Sequence, residues 1–228
     1  MPIQKLTKLP AYLFRPIKTQ LAKRQDRLRA QGKTKYFCIG RNKTGTTSLK
    51  QAFLDLGYPV GDQRKAELLA DRHYFDGNFE PIIAYCQSAQ VFQDVPFSWP
   101  ETFKHLDNAY PGSKFILTLR DSPEQGYSSI TRFHAKLFGG GQIPTAAVLS
   151  QANYVRKGFM LRALKLQGGT DADIYNKTAL LNHYQQYNQS VLAYFKDRPD
   201  DLLVINLSEA DSYQKFGLFP ISWGSHYM

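Results

Sequence analysis

Residues 40 to 47 read Gly-Arg-Asn-Lys-Thr-Gly-Thr-Thr and lie between a short apolar run and a helical pattern. Residues 36 to 39 predict a buried strand, and apolar residues between positions 49 and 56 recur at the spacing of an amphipathic helix. Gly40 and Gly45, separated by four residues, allow the backbone to curl so that its N–H groups face phosphate oxygens at the start of that helix. The stretch therefore predicts a strand, a phosphate-binding loop and a helix, in that order.

The loop differs from an ATP- or GTP-binding P-loop in the position of its cation. Such a P-loop requires Lys followed by Ser or Thr directly after the second glycine, so that an ammonium reaches the outer phosphates and a hydroxyl holds magnesium. Thr46 occupies the place of that lysine, and the cation lies three residues earlier, at Lys43, with Arg41 beside it. The loop therefore suits a phosphate-like anion better than a magnesium triphosphate. It also supplies four hydroxyl donors: Thr44, Thr46, Thr47 and Ser48.

Beyond the loop, short apolar strands alternate with amphipathic helices, which is typical of a parallel sheet covered by helices. The sequence therefore predicts the α/β class, with a three-layer P-loop-like fold and a central parallel sheet flanked by helices. Pro100 and Pro123 are expected at the first position of their helices, where proline is well tolerated. The further predicted strands are 89–93, 115–119 and 202–207, and the further predicted helices are 100–110, 123–138 and 174–195.

A chain of 228 residues suits a single core, and its charge divides it into an arm and a body. Residues 1–33 carry nine Lys or Arg residues against one acid, which accounts for most of the net charge of +10. They predict a basic N-terminal arm with a helix over 18–31, and residues 34–228 predict one α/β domain. Within that domain, residues 139–172 begin with three glycines and predict a mobile lid with one helix near 154–166.

Three interpretations of the basic arm stay open. Its helix lies on an anionic membrane surface, binds RNA, or docks on the body through Leu21 and Leu28. The body carries little net charge, so a nucleic-acid-binding face is not indicated there and no specific nucleic-acid partner is expected. The prediction of a peripheral membrane contact therefore falls on residues 1–33.

The composition argues against several classes of protein. Cys38 and Cys86 are the only cysteines, so a disulfide framework and a four-cysteine zinc site are both ruled out, and the five histidines show no metal-ligand spacing. No apolar stretch approaches the roughly 20 residues that cross a bilayer, and the N-terminus lacks the apolar block of a signal peptide. These features predict a soluble, cytoplasmic protein without a metal site.

At two places the sequence resembles the sulfotransferases that use 3′-phosphoadenosine 5′-phosphosulfate (PAPS). Residues 42–49, Asn-Lys-Thr-Gly-Thr-Thr-Ser-Leu, match the 5′-phosphosulfate loop of that family except that Asn42 replaces a proline. Arg120 ends a predicted strand and Ser128 lies eight residues later in a predicted helix, which is the spacing of the family's 3′-phosphate signature. The resemblance covers about residues 35–207.

The resemblance implies a sulfotransferase with PAPS as the donor, adenosine 3′,5′-bisphosphate (PAP) as the product, and no required metal. Lys43 is then the cation that stabilises the leaving oxygen, and Arg120 and Ser128 hold the 3′-phosphate. The acceptor is expected to be a small molecule, a lipid or a glycan that offers a hydroxyl or an amine. The residues implied in donor binding are Arg41, Lys43, Thr44, Gly45, Thr46, Thr47, Ser48, Arg120 and Ser128.

A hydroxyl acceptor also needs a base, which the family places just after the strand one unit beyond the helix of the loop. Asp94 occupies that position and is the first candidate, although aspartate at a strand end is also a common turn former. His134, six residues beyond Ser128 on the same predicted helix, is the second candidate.

Two other functions remain open at this stage. In a P-loop kinase or other nucleotide-binding phosphotransferase, Asp94 or Asp121 would hold magnesium, although Thr46 in place of a lysine argues against this function. In a non-catalytic scaffold, the basic arm binds a membrane or RNA. The chain also lacks Lys and Arg after Lys215, where many family members have a basic segment, and residues 156–158 resemble that segment but lie in the predicted lid.

Overall fold

The computed structural model describes residues 15–219, with side chains from residue 20 onward. Residues 1–14 of the predicted arm and the C-terminal residues 220–228 lie outside the described part. Four strands form one parallel sheet in the order β2-β1-β3-β4. The predicted α/β class with a central parallel sheet is therefore confirmed. The strands are β1 (Tyr36–Cys38), β2 (Val91–Gln93), β3 (Lys114–Leu119) and β4 (Leu202–Asn206).

Ten α-helices accompany the sheet in the described residues. Four of them, α3, α4, α7 and α10, fall where the sequence pattern predicts no helix. They are α1 (Arg15–Ala30), α2 (Thr46–Asp55), α3 (Gln63–His73), α4 (Glu80–Tyr85), α5 (Thr102–Ala109), α6 (Pro123–Phe138), α7 (Ala146–Gln151), α8 (Phe159–Lys165), α9 (Lys177–Tyr194) and α10 (Ser212–Leu218).

The alternation of side chains along the strands produces three layers. Phe37 and Phe115 belong to a large apolar cluster with residues of α3, α4, α5, α8 and α9. Tyr36 and Ile116, one residue away in each strand, belong to a second cluster with residues of α2 and α10. Because successive strand residues point to opposite faces, both faces of the sheet are buried under helices. The central sheet flanked by helices thus agrees with the predicted architecture.

The two proline-led helices behave differently. Pro123 opens α6, and the side chain of Ser122 caps it by accepting a hydrogen bond from Gln125 N. The prediction for Pro100 is wrong, because α5 begins at Thr102 and Glu101 is its cap. The carbonyl of Pro100 instead accepts hydrogen bonds from Tyr74 Oη at 2.8 Å and from Thr102 N at 2.7 Å. Pro100 therefore lies in the turn that precedes the helix.

Residues 139–172 hold two helices, α7 and α8, and α8 begins five residues later than the single predicted helix. Gly158, directly before α8, has a left-handed backbone with φ 74°. This residue separates α8 from the turn that precedes it. Val155 and Phe159 are buried in the large apolar cluster. The Arg162 guanidinium forms an ion pair with Asp71 of α3, and Arg64 Nη2 donates to Val155 O at 3.0 Å. The segment is thereby joined to α3 by both apolar and polar contacts.

The arm helix α1 contacts the body through polar groups and its last residue. Lys23 Nζ lies 3.1 Å from Asp62 Oδ2, Arg29 donates to the carbonyl of Gly57, and Ala30 is fully buried. The helix thus docks on the body as one interpretation held, but the predicted anchors are wrong, because Leu21 and Leu28 are 59% and 61% exposed. No helix in the described range 15–219 combines the length and the apolar character that a bilayer crossing requires.

Gly40 supplies a test of the packing that positions the loop. A Cβ atom at this residue would lie 1.9 Å from Thr118 Oγ1 and less than 3 Å from the Thr118 backbone, which cannot move without shifting β3. We expect Gly40→Ala to lower the free energy of unfolding by about 1–3 kcal/mol, the cost of overpacking a close contact. Urea denaturation would measure the change.

Gly126→Ala is the matched control, because Gly126 lies in α6 with open space where its Cβ would be. Alanine is the better helix former, so this variant should be unchanged or slightly more stable. Equal stability of the two variants would contradict the role assigned to the Gly40 contact.

Candidate active site

The loop and two of the predicted site residues meet at the carboxyl edge of the sheet. The loop follows β1, Asp94 follows β2 directly, and Arg120 follows β3 directly. Because β1 lies between β2 and β3 and all three are parallel, their carboxyl ends are adjacent. Ligand sites in open α/β sheets lie at this edge.

Hydrogen bonds inside the loop set its shape. Thr44 Oγ1 donates to Arg41 O at 2.6 Å, and it lies 2.5 Å from Thr118 Oγ1 at the end of β3. Lys43 and Gly45 both have left-handed backbones, with φ 68° and φ 110°. A Cβ atom at Gly45 would also lie 2.3 Å from Leu207 Cδ1, so glycine is required there for both reasons.

This shape leaves donors free at the start of α2. Within the described residues, the backbone N–H groups of Gly45, Thr46 and Thr47 have no hydrogen-bond acceptor, whereas Ser48 N already donates to Gly45 O. Free N–H groups at the N-terminus of a helix, together with the helix dipole, favour an anion. The loop is therefore an anion cradle built from the backbone.

Two cations stand at this cradle. Lys43 Nζ lies 4.2 Å from the ring centroid of Phe133 on α6, and both residues line the same cavity. Arg120 Nε donates to Lys43 O at 2.7 Å, and Arg120 Nη2 donates to the same carbonyl. Arg120 therefore fixes the turn that carries Lys43, in addition to bringing its own charge to the site.

A cavity of about 350 Å³ opens in front of the cradle. It is the size of a site for one small molecule or part of a larger one. Seven of the residues that the sequence analysis assigns to the site line it: Lys43, Gly45, Thr46, Thr47, Asp94, Arg120 and His134. The remaining lining comes from Asn42, Glu67, Val95, Trp99, Ile130, Phe133, Tyr154, Phe159, Met160, Ala163, Leu164 and Gln167.

Asp94 is held tightly at the edge of this cavity. Its backbone is left-handed with φ 63°, and its Oδ1 accepts hydrogen bonds from Val95 N at 2.9 Å and from the Asn42 amide. Burial raises the pKa of the Asp94 carboxyl above its usual value, and the Val95 hydrogen bond and the charges of Arg41 and Lys43 offset only part of this effect. A carboxylate with a raised pKa is a stronger base than an exposed aspartate.

His134 combines burial with an unused nitrogen. The residue is 1% exposed, its Nδ1 lies 2.9 Å from Tyr175 Oη, and its Nε2 has no partner among the described residues. Burial, with a smaller contribution from the Lys43 charge, lowers the pKa of the imidazole to about 4. His134 is therefore neutral near pH 7 and offers one ring nitrogen toward a ligand.

Glu67 of α3 is a carboxylate of the cavity that the sequence analysis misses. Its side chain is 13% exposed and its Oε2 lies 3.4 Å from Arg64 Nη1. Burial raises the pKa of its carboxyl, and the nearby Asp94 charge raises it further. The apolar pattern of α3 is weak, so the sequence does not predict this helix. Nothing in the sequence therefore places Glu67 near the loop.

Four of the residues assigned to donor binding have side chains outside the cavity lining. Arg41 is 4% exposed, donates to Ser98 O at 2.6 Å and lies 5.2 Å from the Tyr187 ring, so it supports the loop from below. Thr44 is occupied by its bonds inside the loop. Ser48 lines a separate apolar groove between α2 and α10, and Ser128 is exposed on α6.

Within residues 15–219, no group of three His, Cys, Asp or Glu side chains is arranged to hold a metal ion. The donors that the cavity offers are instead an ammonium, a guanidinium, backbone N–H groups and hydroxyls. These groups suit a phosphate or sulfate ester. The fold and the site together define the chain as a P-loop-like α/β protein with an anion cradle.

Comparison with known families adds the next step. A family model described as a sulfotransferase domain matches residues 35–216, from the start of β1 into α10. The chain therefore belongs to the sulfotransferase domain family, which confirms the resemblance found in the loop, and it is a transferase of the sulfuryl-transfer class. No curated protein matches the chain.

The depressed pKa of His134 predicts a pH dependence of stability. An unfolded histidine titrates near 6.5, whereas folded His134 titrates at about 4, so between these values the unfolded state binds more protons. The free energy of unfolding should therefore fall as the pH drops through this window. From pH 7.5 to pH 5 we expect His134 to contribute about 2 kcal/mol to that loss.

Urea denaturation of wild type and His134→Gln at both pH values would isolate this contribution, since glutamine does not titrate. The difference in stability between pH 7.5 and pH 5 should be smaller in the variant. An unchanged difference would contradict the pKa assigned to His134.

Proposed function

We propose that the chain transfers a sulfuryl group from PAPS to a hydroxyl or amine of a small acceptor. The observation that carries this proposal is the anion cradle with Lys43 beside it, facing a cavity that also holds Asp94 and His134. Anion-binding groups and candidate bases thus line the same cavity. That arrangement is what in-line transfer between an anionic donor and a neutral acceptor requires.

The residues of the loop fit the phosphosulfate end of such a donor. Gly45, Thr46 and Thr47 offer free N–H groups, and Gly45, with φ 110°, carries no side chain that could enter the cradle. Arg120 is left with N–H donors that its two bonds to Lys43 O do not use. When bound, the donor supplies an activated sulfuryl group whose terminal sulfate carries one charge fewer than a terminal phosphate.

Lys43 is proposed as the catalytic cation. Negative charge grows on the oxygen that bridges sulfur and the 5′-phosphate as the bond to sulfur breaks, and an ammonium placed at that oxygen lowers the barrier. The Thr47 hydroxyl and the free N–H groups of Gly45, Thr46 and Thr47 hold the phosphate. The Thr46 hydroxyl bonds to Asp94. Arg41 and Thr44 support the turn from inside, and Arg120 both holds the turn and faces the donor.

Asp94 is proposed as the base that takes the proton from the acceptor as its oxygen or nitrogen bonds to sulfur. Its raised pKa and its position in the cavity support this role. His134 is the second candidate, and its free Nε2 supports it. The proton that leaves the acceptor is thus taken up by a carboxylate oxygen of Asp94 or by His134 Nε2.

A P-loop kinase is the competing enzyme, because Asp94 near the loop could hold magnesium. The test is calorimetric titration of the full chain with PAP and with magnesium ATP. Tighter binding of PAP is expected, since Thr46 stands where a kinase needs a lysine. Tighter, magnesium-dependent binding of ATP would reverse the assignment. A non-catalytic scaffold predicts that neither nucleotide binds and that no sulfate moves from labelled PAPS.

Lys43 and Arg120 should differ in how their loss affects the reaction. We expect Lys43→Ala to lower kcat by about 10²–10³-fold, because it removes charge stabilisation made mainly in the transition state. Arg120→Ala should chiefly weaken PAP binding, by about tenfold or more, through the loss of charge-assisted hydrogen bonds.

Steady-state kinetics with labelled PAPS and titration with PAP would measure both effects. Lys136→Ala is the control, because Lys136 is exposed on α6 and does not line the cavity. Wild-type activity in both Lys43→Ala and Arg120→Ala would remove the mechanistic assignment.

Asp94→Asn tests the base while keeping the shape of the side chain. We expect kcat to fall by about 10²–10⁴-fold, the usual contribution of a general base. In wild type, kcat/KM should rise with pH through the raised pKa of Asp94, because the carboxyl must be ionised to accept a proton, and this rise should be absent in the variant.

Asp121→Asn is the control, since Asp121 also follows a strand but is exposed and outside the cavity lining. A large loss of activity in His134→Gln, with little loss in Asp94→Asn, would assign the base to His134 instead.

A further inference from the structure

Resting on the proposed function, we infer that the acceptor is a small aromatic alcohol that carries a cationic amine. The hydroxyl lies toward Asp94 and His134, and the amine lies at Glu67. Anionic acceptors, among them acidic glycans, are excluded by the same carboxylates.

The charged groups of the cavity come from different elements. Lys43, Arg120 and the free N–H groups of the loop form the part of the cavity that the anionic donor takes. Glu67 lines the cavity from α3, on an element that contributes nothing to the cradle. When the donor occupies the cradle, Lys43 and Arg120 face the donor. The charged side chains that then face the acceptor are Asp94 and Glu67.

Glu67 bonds to the side chains of Arg64 and Gln63. Burial and the Asp94 charge nevertheless raise the pKa of its carboxyl. Arg64 Nη1 approaches Glu67 Oε2 at 3.4 Å, but the Arg64 side chain is 52% exposed and its Nη2 donates to Val155 O. A half-exposed arginine is well screened by water. The Glu67 and Asp94 carboxylates repel each other when both are ionised, and the charge of Asp94 raises the pKa of Glu67 for this reason. A ligand ammonium between or beside them would relieve that repulsion.

The remaining walls of the cavity are largely apolar and include aromatic rings. Trp99 and Phe159 stack with ring centroids 5.8 Å apart at an interplanar angle of 23°, and Met160 and Leu164 extend the same wall from α8. Such a wall favours an apolar or aromatic body on the acceptor.

His134 supplies an independent sign of a polar ligand group in the cavity. Its Nε2 is buried and has no partner among the described residues, and its imidazole is neutral. The hydroxyl of an acceptor can satisfy this nitrogen in either tautomer, because a hydroxyl both donates and accepts. The selection against an anion in the acceptor space therefore comes from Glu67.

Three probes of nearly equal shape test the charge preference: 4-(aminomethyl)benzyl alcohol, 4-methylbenzyl alcohol and 4-(hydroxymethyl)benzoate. Binding of each to the PAP-loaded full chain would be measured by calorimetry, and sulfation of each by transfer from labelled PAPS. We expect the amine to exceed the methyl compound by about tenfold or more in affinity and in kcat/KM. The carboxylate should show no detectable binding or turnover.

Glu67→Gln identifies the source of the preference. In this variant the affinity and kcat/KM for the amine should exceed those for the methyl compound by no more than about twofold. Glu80→Gln, a change at an exposed glutamate of α4, should keep the wild-type ratio. Because the wild-type series is informative alone, the test stands even if Glu67→Gln folds poorly.

The inference is overturned by equal or reversed ranking of the probes, by a ratio that survives in Glu67→Gln, or by PAP-loaded protein that binds none of the three. Failure of the proposed function is a separate result, since it would appear as wild-type protein that does not bind PAP at all.

Discussion

The close packing of Gly40 against Thr118 is the constraint on which the site depends. It allows the loop after β1 to pass directly over the end of β3, where Thr44 bonds to Thr118 as well. Two residues beyond Thr118, Arg120 then reaches the carbonyl of Lys43. The left-handed turn, the free N–H groups and the placement of the lysine all follow from this contact between two neighbouring strands.

The fold was largely predictable because the sheet is buried on both faces. Strands such as 115–119 then appear as short continuous apolar runs, which sequence patterns reveal well. Helix α3 was not predictable in the same way, because its buried positions are the small residues Ala66 and Ala70 and its other positions are mostly polar. Missing α3 also meant missing Glu67, whose relation to the cavity exists only in three dimensions.

The site was predictable in its backbone and less so in its side chains. Spacing identified the cradle and Lys43, and the resemblance to the family added Asp94 and Arg120; all of them meet at one cavity. Residue type alone did not reveal which way each loop side chain faces. Arg41 and Thr44 turn inward because the buried Ser98 carbonyl and the Thr118 hydroxyl need partners there. Some hydrogen-bond donors of the loop are therefore available to a ligand, and others, such as those of Arg41 and Thr44, stabilise the loop.

The ion pair between Arg162 and Asp71, together with the Arg64 bond to Val155, joins α3 to residues 139–172 into one wall. That wall contributes Glu67, Phe159 and Met160, and none of the cradle. The two halves of the cavity are consequently encoded in separate stretches of the chain. Mutations in the wall can therefore change which acceptor is bound. The loop that takes the sulfate donor tolerates fewer changes, because it is closely packed against β3.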